Sequence, residues 1–290
     1  MKLSKICVLG TGWMGRQIAQ HAAQCGYDVT FIGQRKDPQI TREGLDLMRG
    51  NLQKFYVDKG KMTAEEMEAV LGRINGCTDL TEAVNGAQVV IENILEDLEL
   101  KQNAFKELDE LCAPDTVLAS DSSGLMITAI GALAKRPDKV VGMHFFNPVA
   151  VMKLIEIVRG VKTSDETIET VKELSASFGK ETITINDSPG YVVSRLFTVL
   201  VNEAAKLVNE GVCSPEDVDK GCQMGLGHAM GPLRAWDIGN GMAHGPLAMA
   251  YMREMLGDEY RPCPLITKLN LAGEYGVATN KGFFSYPPKQ

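Results

Sequence analysis

The chain has 290 residues, 44% apolar and 23% charged, with a formal net charge of −7. That composition excludes disorder, the length suits two domains of ordinary size, and no apolar run is long enough to span a bilayer. The acidic balance argues against nucleic acid as a partner, and seven scattered cysteines without a CxxC pair, behind an N-terminus lacking signal-peptide character, predict a cytoplasmic protein.

Short β-branched runs follow in chain order: ICVL, VTFI, QVVI, TVLAS, KVVGM, VMKLIEIV and TITI, separated by amphipathic stretches. This rhythm predicts an α/β domain of Rossmann type with a mostly parallel sheet. The connection over residues 37–86 is unusually long. Its apolar positions Leu45, Met48, Leu52, Phe55, Met67, Val70 and Leu71 recur at helical spacing, which predicts two helices broken at Lys59-Gly60 and projecting from the sheet. After DSPG at 187–190 the pattern becomes helical throughout. A long helix ends at Gly211, and CSPEDVDKG supplies a capped start for the next. We therefore divide the chain into a dinucleotide-binding domain, 1–187, and an all-α domain, 188–290.

GTGWMG at 10–15 stands directly after ICVL and opens a helix, the context in which G-x-G-x-x-G cradles a dinucleotide. Gly10 makes the turn, Gly12 admits the pyrophosphate and Gly15 lets helix and strand pack, with Thr11, Trp13 and Met14 completing the loop. An NAD site places a carboxylate at the end of the second strand. Here Gly33 holds that place, followed by Gln34, Arg35 and Lys36. Without an acid to repel it, a 2′-phosphate could pair with Arg35 and Lys36, so NADP(H) is favoured over NAD(H). The alternative is an exposed basic turn with no cofactor role.

SDSSG at 120–124 and GMHFFNP at 142–148 lie at predicted strand ends, where open α/β sheets bind ligands. His144 there can take a proton from an alcohol. Glu156, an acid within the apolar MKLIEI strand, is costly unless paired, and His144 is the natural partner. A base beside a nicotinamide cofactor implies alcohol oxidation. His228 and His244 show no metal-ligand spacing, and no metal is expected.

Together GTGWMG, SDSSGLMIT, GMHFFNPVAVMKLIEI, DSPGYVVSR, HAMGPL and NKGFFSY resemble the 3-hydroxyacyl-CoA dehydrogenase family, especially its short 3-hydroxybutyryl-CoA members, over nearly the whole chain. The resemblance implies reversible oxidation of (S)-3-hydroxyacyl-CoA to 3-oxoacyl-CoA by a homodimer joined through its helical domains. It makes His144 the general base, Glu156 its orienting carboxylate and Ser123 the hydroxyl on the substrate's 3-oxygen. Glu96, Lys101, Ser123 and Asn147 fall on nicotinamide-contacting positions, Ser194 on a substrate-holding one, and Lys54, Lys59 and Lys61 on an element used against CoA. The chain departs from the family at Gly33, at Asp121, which brings a charge close to Ser123, and at Ser194 and Ala278. Two other functions are compatible with the layout: a free hydroxy-acid dehydrogenase of gulonate or carnitine type, and a nucleotide-binding protein without catalysis.

Overall fold

A computed structural model of the chain describes residues 3–33 and 37–287. The chain separates into two compact units, Met1–Asp187 and Ser188–Gln290.

The first unit is built on eight strands: β1 Lys5–Leu9, β2 Asp28–Ile32, β3 Ile74–Cys77, β4 Val89–Glu92, β5 Val117–Ser120, β6 Val140–Phe145, β7 Leu154–Arg159 and β8 Glu181–Asn186. Their order is β3-β2-β1-β4-β5-β6-β7-β8. Every neighbouring pair is parallel except β6 and β7. The loop joining those two is too short for a crossover, so the chain must return antiparallel. The order reverses direction between β1 and β4, and the crevice at the carboxyl ends of those two strands is where such sheets take ligands. Among the described residues, seven α-helices accompany the strands: α1 Trp13–Gln24, α2 Pro38–Leu52, α3 Ala64–Leu71, α4 Leu80–Val84, α5 Leu98–Leu111, α6 Ile127–Ile130 and α7 Asp165–Ser177. Ile18, Ala19, Ala22 and Ala23 bury one face of α1 against Ile6, Val8, Val29 and Phe31. The small alanines let the helix approach the sheet closely.

The long connection carries the two expected helices. The first continues through a π-helical turn, Gln53–Val57, before the chain reverses at Gly60. Asp37 caps α2, and Thr63 with Glu66 forms a capping box on α3. Met48, Leu52, Met67 and Val70 bury the shared apolar face. The same connection also carries the edge strand β3 and the short helix α4, neither of which helical periodicity predicted. The β3 sequence, INGC, has one buried residue, Ile74, so pairing with β2 rather than its own pattern makes it a strand.

The second unit is helical: α8 Val193–Asn209, α9 Pro215–Leu226, α10 Pro232–Ile238, α11 Gly241–Leu256 and α12 Pro264–Leu271. Its core gathers Val201, Ala205, Leu233, Trp236, Met249, Ile266 and Phe284. Two motifs carrying the family resemblance are structural here. In HAMGPL, α10 begins with Leu233 and Arg234 donating their backbone N–H groups to Asp219. In NKGFFSY, Asp237 accepts from the N–H groups of Phe283 and Phe284 and from the Tyr286 hydroxyl.

Candidate active site

The loop after β1 meets the demands of a dinucleotide cradle. Gly10 has φ +127°, and a Cβ built there would sit 2.4 Å from the Asn93 carbonyl oxygen. A Cβ on Gly15 would sit 2.0 Å from the Gly10 carbonyl oxygen, so only glycine lets α1 pack this tightly on the loop. Gly12 differs: a Cβ there would meet nothing within 4 Å, leaving an open approach to the backbone. No side chain caps α1, so its first N–H groups are available to an anion. Beside the loop, the buried Nδ2 of Asn93, the residue just past β4, has no hydrogen-bond partner. An orphaned donor at that place suits an acceptor on a bound nucleotide. Asn93 was not singled out from the sequence, although its position immediately after the apolar VVIE strand is a usable signal.

The opening of α1 is tied to the loop after β6. Trp13 Nε1 donates to Asn147 Oδ1 at 2.9 Å and Gln17 Nε2 donates to the same oxygen at 3.0 Å. Gln17 Oε1 in turn accepts from Val149 N at 3.0 Å. The two side chains sit one helical turn apart on α1, so both reach one partner. Asn147 is thereby held beside the glycine loop. The indole of Trp13 stays largely exposed.

β6 and β7 bring together the pair expected for proton transfer. His144 lies opposite Glu156 in the antiparallel register. Nδ1 and Oε2 are 2.7 Å apart, and both side chains are buried. A carboxylate at that distance sets the tautomer: Nδ1 carries the hydrogen and donates it to Glu156. Phe146 packs on the imidazole at a centroid distance of 4.5 Å.

A second buried charge system lies under the SDSSG turn. Glu92, at the end of β4, accepts from Lys101 Nζ at 2.6 Å, Ser120 Oγ at 2.7 Å and Ile94 N at 2.6 Å. Burial opposes the charge on Lys101, but Glu92 and Glu96 outweigh it and raise its titration. Lys101 is thus turned inward to Glu92, with Glu96 3.4 Å away. Glu96 Oε1 accepts from Ser122 Oγ, Ser123 N and Gly124 N. That carboxylate shapes the turn which presents Ser123, an exposed residue.

Asp121, expected to bring a charge close to Ser123, is bonded to the backbone of β6. Its side chain is buried, and Oδ1 accepts from Phe145 N at 2.7 Å, linking the β5 end to β6 beside His144. Burial pushes the carboxyl well above its ordinary range, and the Phe145 N–H and Lys101 oppose that only in part. An asparagine would make the same bond without that cost.

The remaining expected residues are dispersed. Gly33 directly follows β2 with Thr11 beside it, since a Cβ there would sit 3.2 Å from Thr11 Oγ1. Gln34, Arg35 and Lys36 lie outside the described residues. Met14 is half-buried beneath the loop. Lys54, Lys59 and Lys61 are exposed around the α2–α3 turn. Ser194 is half-buried in the first turn of α8, and Ala278 is exposed near the end of the second unit. Among the described residues no group of three His, Cys, Asp or Glu side chains could hold a metal, and no helix is long and apolar enough to cross a membrane.

Residues 5–188 match the family model described as 3-hydroxyacyl-CoA dehydrogenase, NAD binding domain, and residues 190–286 match its C-terminal domain. The chain is 41% identical to a probable 3-hydroxybutyryl-CoA dehydrogenase of Bacillus subtilis, over 100% of this chain and 99% of that one. It is 40% identical to a 3-hydroxybutyryl-CoA dehydrogenase of Clostridioides difficile, over 97% and 99% of the two chains. The crystal structure of the (S)-3-hydroxybutyryl-CoA dehydrogenase PaaH1 from Ralstonia eutropha superposes with a TM-score of 0.92 at 33% identity, covering 99% of this chain and 100% of that one.

Proposed function

The chain belongs to the 3-hydroxyacyl-CoA dehydrogenase family, and from that premise we propose that it interconverts short-chain (S)-3-hydroxyacyl-CoA, such as 3-hydroxybutyryl-CoA, and 3-oxoacyl-CoA, with NADP(H) preferred to NAD(H). The observation that carries this is the buried His144–Glu156 pair on β6 and β7, whose following loop is tied to the opening of α1 through Asn147.

With Nδ1 donating to Glu156, Nε2 of His144 is the nitrogen that takes the proton of the substrate's 3-hydroxyl. Glu156 stabilises the imidazolium as it forms, without taking the proton itself. Ser123, on the turn shaped by Glu96, donates its hydroxyl to the 3-oxygen and holds C3 in place. The nicotinamide ring supplies the hydride acceptor in one direction and the donor in the other. Glu96 and Asn147 are proposed to line its place, with Lys101, buried against Glu92, acting behind them rather than in contact, and Gly10, Thr11, Gly12, Trp13, Met14 and Gly15 to bind the pyrophosphate side. The open face of Gly12 and the unpaired Asn93 amide fit such a ligand. For the adenosine end, the absence of a carboxylate at Gly33 and the basic Arg35 and Lys36 support a 2′-phosphate.

Lys54 and Lys59, with Lys61, are proposed to meet the CoA phosphates, and Ser194 the acyl group. Residues 1–187 then serve as the dinucleotide-binding domain and 188–290 as the substrate and dimerisation domain. Homodimerisation through the helical unit is supported by its exposed Leu196, Met224, Leu226, Leu247 and Leu271. The cytoplasm is the proposed compartment, in keeping with seven free cysteines.

The test supplies acetoacetyl-CoA and free acetoacetate separately, with NADPH or NADH, and follows nicotinamide absorbance. Turnover of acetoacetyl-CoA, faster with NADPH, is expected. Turnover of the free acid alone would replace the acyl-CoA assignment, and faster turnover with NADH would replace the cofactor preference. Light scattering on the purified protein reads the dimer directly, and a monomeric mass would remove it.

A further inference from the structure

Arg16 stands in the first turn of α1 just beyond the third glycine of the loop, and no part of the scheme above uses it. Its Nη1 donates to the Thr11 carbonyl at 2.9 Å. The aliphatic stem runs between α1 and α2: a Cβ built on Gly44 would lie 3.7 Å from Arg16 Cδ and 2.8 Å from the ring of Phe31 on β2. Thr11 joins this guanidinium to the second strand's end, because the other side of the same residue, Oγ1, stands 3.2 Å from where a Gly33 Cβ would be. Arg16, Thr11 and Gly33 therefore form one contiguous wall at the ribose end of the cradle.

The guanidinium is short of partners. Among the described residues no carboxylate lies within ion-pair distance of Arg16, and the Thr11 carbonyl is its sole hydrogen-bond acceptor. It is half-buried, and burial lowers its titration with no opposing charge. A cation held this way, with donors left over and no carboxylate at Gly33, is suited to an anion that brings its own charge.

We infer that Arg16, fixed by the Thr11 carbonyl, is a specificity determinant that binds the 2′-phosphate of the dinucleotide's adenosine ribose. The inference rests on the NADP(H) preference proposed above. It further predicts that Thr11 donates its hydroxyl to the same phosphate, occupying space that a carboxylate side chain at residue 33 would need.

Dissociation constants for 2′,5′-ADP and 5′-AMP, measured by calorimetry on the full chain, separate the two ideas. The native protein is expected to bind 2′,5′-ADP about tenfold or more tightly than 5′-AMP. Arg16→Ala should remove most of that ratio while leaving 5′-AMP affinity unchanged, a loss of about ten- to a hundredfold for one charge-assisted contact. Arg16→Lys should recover part of it. Arg16→Gln, which keeps a donor for Thr11, gives the same readout if the alanine variant is unstable. A native protein that binds both nucleotides equally overturns the cofactor preference and this inference with it. A native preference that survives Arg16→Ala but is lost in Arg35→Ala overturns only the role of Arg16. Equal weakening of both nucleotides by Arg16→Ala assigns the residue to general loop support and also overturns it.

Discussion

His144 and Glu156 face each other across the antiparallel β6–β7 pair, with Nδ1 and Oε2 2.7 Å apart and both side chains buried. The register alone makes them neighbours, so neither needs an unusual rotamer or a mobile loop to find the other. His144→Gln is expected to lower kcat by about a hundred- to ten-thousand-fold, the range of general-base catalysis, with little change in the KM for acyl-CoA. Glu156→Gln should lower kcat by roughly ten- to a hundredfold, since the imidazolium loses a charge-assisted partner. Steady-state kinetics with acetoacetyl-CoA check both. Unchanged kcat in His144→Gln would remove the proton-transfer role.

Gly12 and Gly15 separate binding from packing within one loop. A Cβ on Gly15 would collide with the Gly10 carbonyl at 2.0 Å, so Gly15→Ala must displace α1 from the loop, at a cost of about 1–3 kcal/mol. The Tm should fall, and dinucleotide affinity with it. Gly12→Ala meets nothing within 4 Å in the protein. It should leave Tm unchanged while weakening dinucleotide binding, because its methyl group occupies the approach to the pyrophosphate. Thermal melts and fluorescence titrations with NADPH report the two effects. A Gly12→Ala variant that binds normally would show that the pyrophosphate does not cross this loop.

Asp121 makes a prediction about pH. Its carboxyl titrates well above its ordinary range because it is buried. The raised value means that the protonated form suits the folded state: its contribution to stability is fully present below the unfolded carboxyl's range and is lost as pH rises through the folded value. Asn at this position keeps an oxygen for Phe145 N–H and has no proton to lose. Asp121→Asn should therefore match the native Tm in acid and exceed it increasingly as pH rises towards neutrality. Melting curves across that range decide the point, and a constant offset between the two proteins would count against a buried, titrating carboxyl.

Much of this site is legible in the sequence, for physical reasons that differ by residue. The glycine loop announces itself because an apolar strand, three spaced glycines and a helix must occur together for the backbone to approach an anion. Glu156 was legible because an acid in an apolar strand demands a partner. β3 was not, because INGC carries no alternation and is a strand only through β2. Gly76 within it shows why: a Cβ there would lie 2.8 Å from Thr41 on α2, a tertiary constraint with no local signature. Asn93, Gln17 and Arg16 escaped notice because their importance comes from residues distant in sequence that the sheet brings beside them. Asp121 is legible as a departure from the family, but its burial and its bond from the Phe145 N–H come from the junction of β5 and β6 and have no local signature.

Asp237 tests whether NKGFFSY serves architecture in this chain. The residue is buried at the end of α10, where its carboxylate accepts from Phe283 N at 3.2 Å, Phe284 N at 3.1 Å and Tyr286 Oη at 3.0 Å. Gly276 and Gly282 press against it so closely that a Cβ on either would lie within 2.4 Å of its atoms. Asp237→Ala would leave donors unpaired at about 1–3 kcal/mol each and open a void where the buried carboxylate stood. Tyr286→Phe removes one bond and leaves no donor unpaired, so its cost should be near 1 kcal/mol. Urea denaturation should therefore rank the native protein above Tyr286→Phe, with Asp237→Ala well below both. Equal stability of Asp237→Ala and the native protein would show that this carboxylate does not anchor the C-terminal segment, and the motif would then need a different explanation.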